Sequence, residues 1–246
     1  MTAHSPLQAL IFDVDGTLAD TERDGHRPAF NAAFEDAALA WHWDVDLYGE
    51  LLAVTGGKER MRFYAEHYDP DFLTQPDADE IIKALHAAKT RHYVAILEAG
   101  RIPLRPGVAR LIAEARRAGL RLAIATTTTP ENVTTLLKSS LAPDAADWFD
   151  VVGAGDIVPK KKPAPDIYFW VLERLGLAPE NCLAIEDSAN GLKSAVAARL
   201  PTLITRSLYT AGEDFTGAIA VLPDLANTRL SDIELMHRIK KSECFL

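Results

Sequence analysis

Cysteine, positive charge and long apolar runs are all scarce in this sequence. Of 246 residues, Cys182 and Cys244 are the only cysteines, which is too few for a disulfide framework or a paired-cysteine metal site. Acidic residues outnumber basic ones by 35 to 26, for a net charge of -9. Because no broad positive field results, the chain is not expected to bind nucleic acid or an anionic membrane. A phosphate-bearing ligand would need a locally basic pocket.

The lack of long apolar segments indicates where in the cell the protein is expected. No stretch approaches a membrane-spanning length, and Met1 to Gln8 lacks the basic and apolar parts of a secretory leader. Together with the cysteine content, this predicts a cytoplasmic protein. The chain is 48% hydrophobic, which suffices for one substantial core or for a domain that carries a smaller insert.

Short apolar runs alternate with helical patterns over much of the chain. Strands are predicted at 7–12, 120–125, 149–154, 182–185 and 202–205, with a possible further strand at 218–222. Helices are predicted at 106–118, 130–141, 164–175 and 188–198. This alternation predicts an α/β fold with a doubly wound parallel sheet, which binds ligands at the carboxyl ends of its strands.

A segment of different character interrupts the pattern after the first strand. Residues 22–102 show helical periodicity, many aromatic residues and no clear strand, and they are too numerous for a loop. We therefore predict an all-helical cap domain at 22–102, inserted into a core formed by 1–21 and 103–246. Because the insert leaves the core beside the end of the first strand, it is expected to act as a lid over the active site.

Asp13 and Asp15 form the most informative motif, since they follow directly on a buried strand. Two carboxylates in one tight turn with Gly16 are costly unless a cation offsets their charge, and oxygen ligands of this kind suit Mg²⁺. The alternative is an ordinary Asp-Gly turn that ends a strand. For an Asp-Gly pair alone, that alternative would be the better interpretation.

Three further polar motifs follow later strands. They are the threonines 126–129, the lysines 160–162 before Pro163, and Glu186-Asp187-Ser188. Taken singly, the threonines are more often a helix cap, the lysines a solvated patch, and Asp187 or Ser188 a helix N-cap. Their order along the chain, after an Asp-x-Asp turn, makes them informative together.

The string DVDGTLAD and the three later motifs resemble the haloacid dehalogenase superfamily. The resemblance implies a Rossmann-like core and a phosphatase in which Asp13 is the nucleophile and Asp15 the general acid and base. It implies that Thr126 and Lys162 contact the transferred phosphoryl group, with Thr127 and Thr128 nearby.

The same resemblance implies a Mg²⁺ cofactor. Its ligands would be the Asp13 carboxylate, the Asp15 backbone carbonyl and Asp187, while Glu186 would lie outside the direct ligands. Lys160 is expected to be solvated, and whether Lys161 is solvated or part of the site is left open. Dehalogenases of the superfamily lack the second aspartate, so Asp15 favours phosphoryl chemistry.

Within the insert, Tyr48-Gly-Glu-Leu-Leu and TGGKER at 55–60, together with GDIVPKKKPAPDIY in the core, resemble CbbY-type enzymes. That resemblance covers nearly the whole chain. It implies a phosphatase associated with the Calvin cycle that removes xylulose-1,5-bisphosphate, an inhibitor of Rubisco. The residues expected to bind the phosphate that is not transferred are Gly56, Gly57, Lys58 and Arg60, and those expected to face the sugar are Glu22 and Tyr48.

Several alternatives remain open. A sugar-phosphate mutase like β-phosphoglucomutase uses the same core, and a broad-specificity sugar-phosphate phosphatase would carry the same motifs. Residues 56–60 could be a plain turn with exposed charges, Glu22 could support a cap helix, and Tyr48 could be core. His26 has no assigned role. The roles of His86 and Lys89, which lie on one helix face, stay open, because a solvated face explains them equally well. We expect a monomer.

Overall fold

The structure is a computed structural model that describes residues 7–54 and 56–243, with side-chain burial described through Lys240. Thr55 and Cys244, both named above, lie outside the described residues. The chain divides into two compact units. The first combines Met1–Asp20 with Pro103–Leu246 and is called the core unit; the second, Thr21–Ile102, is called the helical unit.

The core unit is built on a parallel sheet, as the sequence predicts. Its strands are β1 Ala9–Phe12, β2 Arg121–Ala125, β3 Val151–Gly153, β4 Cys182–Glu186, β5 Thr202–Thr205 and β6 Ala220–Leu222. They lie in the order β3-β2-β1-β4-β5-β6, and every neighbouring pair is parallel. The predicted α/β fold with a parallel sheet is confirmed.

Helices connect the strands and make up the helical unit. In chain order they are α1 Arg27–Asp36, α2 Val45–Leu51, α3 Gly57–Tyr68, α4 Ala78–Glu98, α5 Val108–Arg117, α6 Pro130–Ser140, α7 Asp166–Leu175, α8 Ala189–Ala197 and α9 Leu230–Glu243. Single helical turns occupy Glu22–His26, Pro70–Thr74, Ala145–Trp148 and Pro179–Asn181. Within the described parts of the chain, none of these helices is both long and apolar enough to cross a membrane.

The start of α5 differs from its predicted start at Pro106. Gly107 has a left-handed backbone with φ of 84°, so the helix begins only at Val108. A Cβ at Gly107 would lie 2.0 Å from the Leu225 carbonyl oxygen. The tight approach of the chain near Leu225 therefore requires glycine here, and this contact between distant residues is not visible in the local sequence.

The order of the strands creates the edge at which a ligand can bind. The chain runs outward from β1 to β2 and β3, and then returns to place β4 on the other side of β1. The connections after β1 and β4 therefore leave in opposite directions, which opens a crevice at the carboxyl ends of these two strands. Both strands are completely buried, so the residues that follow them have a rigid support.

The helical unit has its own apolar core. Helices α1 and α4 pack together, and aromatic rings fill the interior. Phe30 and Phe34 each lie against Trp43, with ring centroids 4.7 and 4.9 Å apart. The many aromatic residues noted in the sequence are thus used largely for packing, where each contributes a large buried area.

Candidate active site

The predicted polar motifs of the core unit meet at the carboxyl edge of the sheet. Asp13 directly follows β1 and Thr126 directly follows β2, whereas Lys162 lies in the connection after β3. Glu186 is the last residue of β4, and Asp187 comes next. Because all four strands are parallel, their ends lie at one edge, and residues far apart in sequence become neighbours.

Lys162 is the electrostatic centre of this group. Its ammonium donates hydrogen bonds to Asp13 Oδ1 at 2.6 Å, Glu186 Oε1 at 2.6 Å and the Ala125 carbonyl at 2.8 Å. These bonds use the three N-H donors of a lysine. The side chain is only 8% exposed. The structure thus places Lys162 against the carboxylate that the sequence marks as the nucleophile.

The charges of this group shift its pKa values. Burial lowers the pKa of Lys162. The charges of Asp13 and Glu186 and their hydrogen bonds raise it by a larger amount, so the pKa of Lys162 is above its usual value. Burial and the charge of Asp13 raise the pKa of Glu186 to about 7, against the opposing effect of Lys162. A protonated Lys162 is therefore a fixed positive charge beside Asp13.

Asp13, Glu186 and Asp187 form a cluster of carboxylates that suits a metal ion. One oxygen from each lies within 4.8 Å of the others, and all three residues are buried. Burial raises the pKa of Asp187 well above its usual value, and so do the charges of Asp13 and Glu186. Glu186 Oε2 is buried without a hydrogen-bond partner. A divalent cation would offset this crowded charge, and an all-oxygen donor set fits Mg²⁺.

The cluster differs in one respect from the expected ligand set. Sequence reasoning placed Glu186 outside the direct ligands, yet its carboxylate belongs to the observed cluster. The N-cap alternative for this motif is met by Ser188, whose hydroxyl accepts a hydrogen bond from the Gly191 N-H at 3.1 Å. Asp187 therefore does not cap the helix, and its carboxylate belongs to the acidic cluster.

The turn that carries Asp15 is shaped by Gly16. Gly16 has φ of 83°, and a Cβ on it would lie 2.0 Å from Asp187 Oδ2. Only glycine allows the first motif to approach the fourth so closely. Asp15 lies between Asp13 and this glycine and is partly exposed, whereas Asp13 is buried.

Arg105 braces this turn, and sequence reasoning missed it. Its side chain is buried and lies 3.4 Å from Asp20 Oδ1. Its guanidinium donates hydrogen bonds to several backbone carbonyls, those of Gly16, Thr205, Arg206 and Pro223. Arg105 thus ties the turn that carries Asp15 to the ends of β5 and β6. An arginine in a connecting segment gives no local signal of such a role.

The threonines after β2 lie at the start of α6. Thr126 is 1% exposed, and its hydroxyl accepts a hydrogen bond from the Thr128 N-H at 3.3 Å. Thr129 caps α6 by accepting from the Asn132 N-H. Thr127 is exposed and Thr128 partly exposed. The cap alternative therefore holds for Thr129, while Thr126, Thr127 and Thr128 surround a turn whose hydroxyls and N-H groups suit an anion.

In the helical unit, three of the predicted substrate residues form one connected group. The Tyr48 hydroxyl donates to Glu22 Oε2 at 2.5 Å, and Arg60 Nη1 donates to the Tyr48 hydroxyl at 2.8 Å. Tyr48 is fully buried and Arg60 is 8% exposed. Arg60 also donates to the Val54 carbonyl. Glu22 is 30% exposed and thus remains the accessible end of the group.

Gly56, Gly57 and Lys58 form the first turn of α3 and the residue before it. Gly56 has φ of 99°, a conformation that favours glycine. A Cβ on Gly57 would lie 2.8 Å from the His86 ring, so α3 and α4 approach closely here. Lys58 is exposed. The N-terminus of α3, with an adjacent lysine, has the polarity that favours an anion.

His26 and the buried Lys89 form a hydrogen-bonded pair. Lys89 Nζ lies 2.7 Å from His26 Nδ1, and the His26 ring stacks on Tyr93 at 3.9 Å. Because the ammonium can only donate, Nδ1 must accept and His26 is neutral. Lys89 is 9% exposed, so the interpretation of this residue as part of a solvated face is wrong. The periodicity of α4 alone does not reveal which face is covered.

Protonation of His26 is expected to make the protein less stable in acid. Burial lowers the pKa of His26 well below 6.5, and so do the charges of Lys89 and His86 on α4 and of Arg60 on α3. Below about pH 6.5, His26 is therefore protonated in the unfolded chain but stays neutral in the folded chain. The free energy of unfolding falls as the pH drops below this value. Each unit of pKa difference contributes up to about 1.4 kcal/mol.

Denaturant unfolding of the whole chain between about pH 8 and about pH 5 measures this effect. His26→Asn keeps an acceptor for Lys89 but cannot titrate, so its stability should depend less steeply on pH. His42 is exposed, and His42→Asn serves as the control. Identical pH dependence in the wild type and His26→Asn would contradict the prediction.

Known proteins resemble this chain over most of its length. Residues 7–199 match the family model for haloacid dehalogenase-like hydrolases. The CbbY protein of Cupriavidus necator is 54% identical over 221 residues, which cover 90% of this chain and 87% of that protein.

Two crystal structures of CbbY from Rhodobacter sphaeroides are also similar. The complex with phosphate has a TM-score of 0.80 and 44% identity, covering 93% of this chain and 99% of that one. A mutant in complex with xylulose-1,5-bisphosphate also has a TM-score of 0.80, with 45% identity, covering 92% of this chain and 98% of that one. The similarity extends through both units.

Proposed function

Because the chain belongs to the haloacid dehalogenase-like hydrolase family and is a CbbY-type phosphatase, as its motifs predict, we propose that its substrate is xylulose-1,5-bisphosphate. The products are xylulose-5-phosphate and phosphate, and the reaction depends on Mg²⁺. The observation that carries the chemistry is the buried contact of Lys162 with Asp13 beside the acidic cluster. Similarity to a CbbY mutant that binds this bisphosphate supports the choice of substrate.

The core unit performs the chemistry in this proposal. A carboxylate oxygen of Asp13 forms a bond to phosphorus, and the bond from phosphorus to the sugar oxygen breaks. Asp15 gives its proton to the departing oxygen and then takes one from the water that hydrolyses the aspartyl phosphate. Lys162, Thr126, Thr127 and Thr128 bind the phosphoryl oxygens, and the fixed charge of Lys162 stabilises the transition state.

The acidic cluster is the proposed place of Mg²⁺. Asp13, Asp187 and the Asp15 carbonyl would hold the ion, with Glu186 completing the cluster. When bound, the ion supplies positive charge that offsets the charge of the nucleophile and of the phosphate. The unpartnered Glu186 Oε2 and the raised pKa of Asp187 support this assignment.

The helical unit is proposed to bind the rest of the substrate. Lys58 and Arg60, with the backbone of Gly56 and Gly57, bind the phosphate that is not transferred. Glu22 binds sugar hydroxyls, whereas the expected contact of Tyr48 with the sugar gives way to a supporting role, because Tyr48 is fully buried and its hydroxyl donates to Glu22. Because Arg60 already donates to Tyr48, it also holds this pair in place. In the cell, we propose that the enzyme acts in the cytoplasm and clears an inhibitor of Rubisco.

Lys58→Ala tests the second phosphate site. Lys58 is exposed, so its loss should not disturb folding, and removing a charged contact should raise KM for the bisphosphate about tenfold. The KM for p-nitrophenyl phosphate, which has no second phosphate, should stay unchanged. The exposed Lys83 pairs with Glu80 one turn away, and Lys83→Ala is the control. Equal changes of KM for both substrates would refute the assignment of Lys58.

Phosphate release from a panel of substrates tests the function as a whole. With Mg²⁺, xylulose-1,5-bisphosphate should be preferred over ribulose-1,5-bisphosphate, β-glucose-1-phosphate and glucose-6-phosphate. Conversion of β-glucose-1-phosphate to glucose-6-phosphate without release of phosphate would make the protein a mutase. Similar rates with every member of the panel would make it a broad-specificity phosphatase.

A further inference from the structure

Tyr168 lies beneath the catalytic lysine without reaching the edge where substrate would bind. It belongs to α7 and is fully buried. Its hydroxyl donates to Glu186 Oε1 at 2.5 Å, and its ring lies 5.3 Å from the Lys162 ammonium. None of the roles implied by the sequence motifs falls on this residue.

The same oxygen of Glu186 connects Tyr168 to Lys162. Glu186 Oε1 accepts from the Tyr168 hydroxyl and from Lys162 Nζ, and Lys162 in turn donates to Asp13. The four side chains thus form a continuous chain of hydrogen bonds that ends at the nucleophile. Hydrogen bonds to charged groups are among the stronger ones in a buried site.

We propose that Tyr168 is a positioning residue for Lys162, acting through Glu186. A lysine side chain has a flexible stem that loses about 2 kcal/mol of rotamer entropy when it is fixed. The Tyr168 hydroxyl holds one side of the Glu186 carboxylate, so that Oε1 stays directed at the ammonium. The ring of Tyr168 presents its face to the same ammonium, which adds a cation-π attraction.

This arrangement sets where the positive charge stands relative to Asp13. Lys162 donates to Ala125 and Asp13 as well as to Glu186, so a rotated Glu186 would draw the ammonium away from its other partners. Electrostatic catalysis depends on charges held in place before the reaction. The inference rests on the proposed role of Lys162, and the experiment separates the two.

Tyr168→Phe removes the hydroxyl and keeps the ring. Glu186 Oε1 remains bonded to Lys162 in this variant, so no buried acceptor is left without a partner. With p-nitrophenyl phosphate and saturating Mg²⁺, we expect kcat to fall about tenfold while KM stays unchanged, because transition-state stabilisation is lost and binding is not. The melting temperature should change little. Tyr64 lies in the helical unit and is not among the proposed site residues, so Tyr64→Phe is the control.

A double-mutant cycle with Lys162→Met shows whether Tyr168 acts through the lysine. If it does, Tyr168→Phe should have no further effect on the residual kcat of Lys162→Met. A loss of kcat in Lys162→Met alone tests the proposed role of Lys162, independently of Tyr168. If Lys162→Met loses kcat but Tyr168→Phe does not, the role of the lysine stands and the positioning role is overturned.

Nuclear magnetic resonance of the lysine ammonium groups gives a readout that does not depend on turnover. In protein without Mg²⁺, the buried Lys162 ammonium should give a signal that is absent in Lys162→Met. We expect this signal to shift or broaden in Tyr168→Phe and to stay in place in Tyr64→Phe. An unchanged Lys162 signal, or a loss of kcat that is equally large in the Lys162→Met background, would overturn the inference.

Discussion

Asp13→Asn is expected to lower phosphate release at least about 10³-fold, because an amide is a far weaker nucleophile than a carboxylate. The free energy of unfolding of Asp13→Asn should not be lower than that of the wild type. The charge of Asp13 raises the pKa of both Glu186 and Asp187, so removing that charge relieves repulsion within the cluster. Lys162 keeps its contact with Glu186 in the variant, and the buried ammonium therefore retains a counter-charge.

Steady-state phosphate release and thermal unfolding, both measured on the same preparations, check this prediction. Asp71 is an exposed aspartate of the helical unit, and Asp71→Asn controls for loss of a carboxylate elsewhere. A folded Asp13→Asn protein with activity near that of the wild type would show that Asp13 is not the nucleophile. Low activity together with a large loss of stability would assign it a structural role instead.

Lys162→Met is expected to reduce both activity and stability. Its hydrogen bonds to Asp13 and Glu186 are buried, and removing one partner of such a group costs about 3–5 kcal/mol, since the remaining charges are left uncompensated. The value of kcat should fall about 10²-fold to 10³-fold, as for the loss of a fixed donor to a developing anion. Mg²⁺ should restore part of the stability, because it supplies charge to the same carboxylates.

Lys160→Met is the matched control, since Lys160 is exposed and only two positions away. Lys161→Met is a second one, because Lys161 is exposed and pairs with Asp156 at 2.9 Å. Both should retain wild-type kcat and stability. Urea unfolding with and without Mg²⁺, together with kcat, distinguishes the variants. An Lys162→Met protein as active as Lys160→Met would contradict the account of the site.

Strands β1, β2 and β4 could be predicted because nearly all of their residues are buried, so that they appear as continuous apolar runs. The predicted strands also gave the location of the site, because polar residues directly after parallel strands must meet at one edge of the sheet. Asp13, Thr126 and Glu186 each follow or end such a run, so their convergence was visible in the sequence. Lys162 lies further from its strand, and its choice among three lysines depended on resemblance to a known family.

Other features depend on contacts between distant residues and gave no local signal. Tyr168 lies in a predicted helix and ends the motif GDIVPKKKPAPDIY, but only the structure shows its hydroxyl at Glu186. Lys89 appears as a surface lysine, yet it is buried against His26. Arg105 lies in a connecting segment but binds carbonyls more than eighty positions away in the chain. Periodicity identifies the buried face of a helix, but not which polar group faces it.

Formation of an aspartyl phosphate at Asp13 is the central claim, and a single-turnover reaction tests it most directly. Enzyme in excess over xylulose-1,5-bisphosphate, with Mg²⁺, is quenched in acid at increasing times, and the mass of the peptide that contains Asp13 is followed beside free phosphate. We predict a phosphorylated peptide that appears first and decays as phosphate is released, and that is absent in Asp13→Asn. Release of phosphate with the phosphoryl group on another residue, or with catalysis intact in Asp13→Asn, would contradict the account.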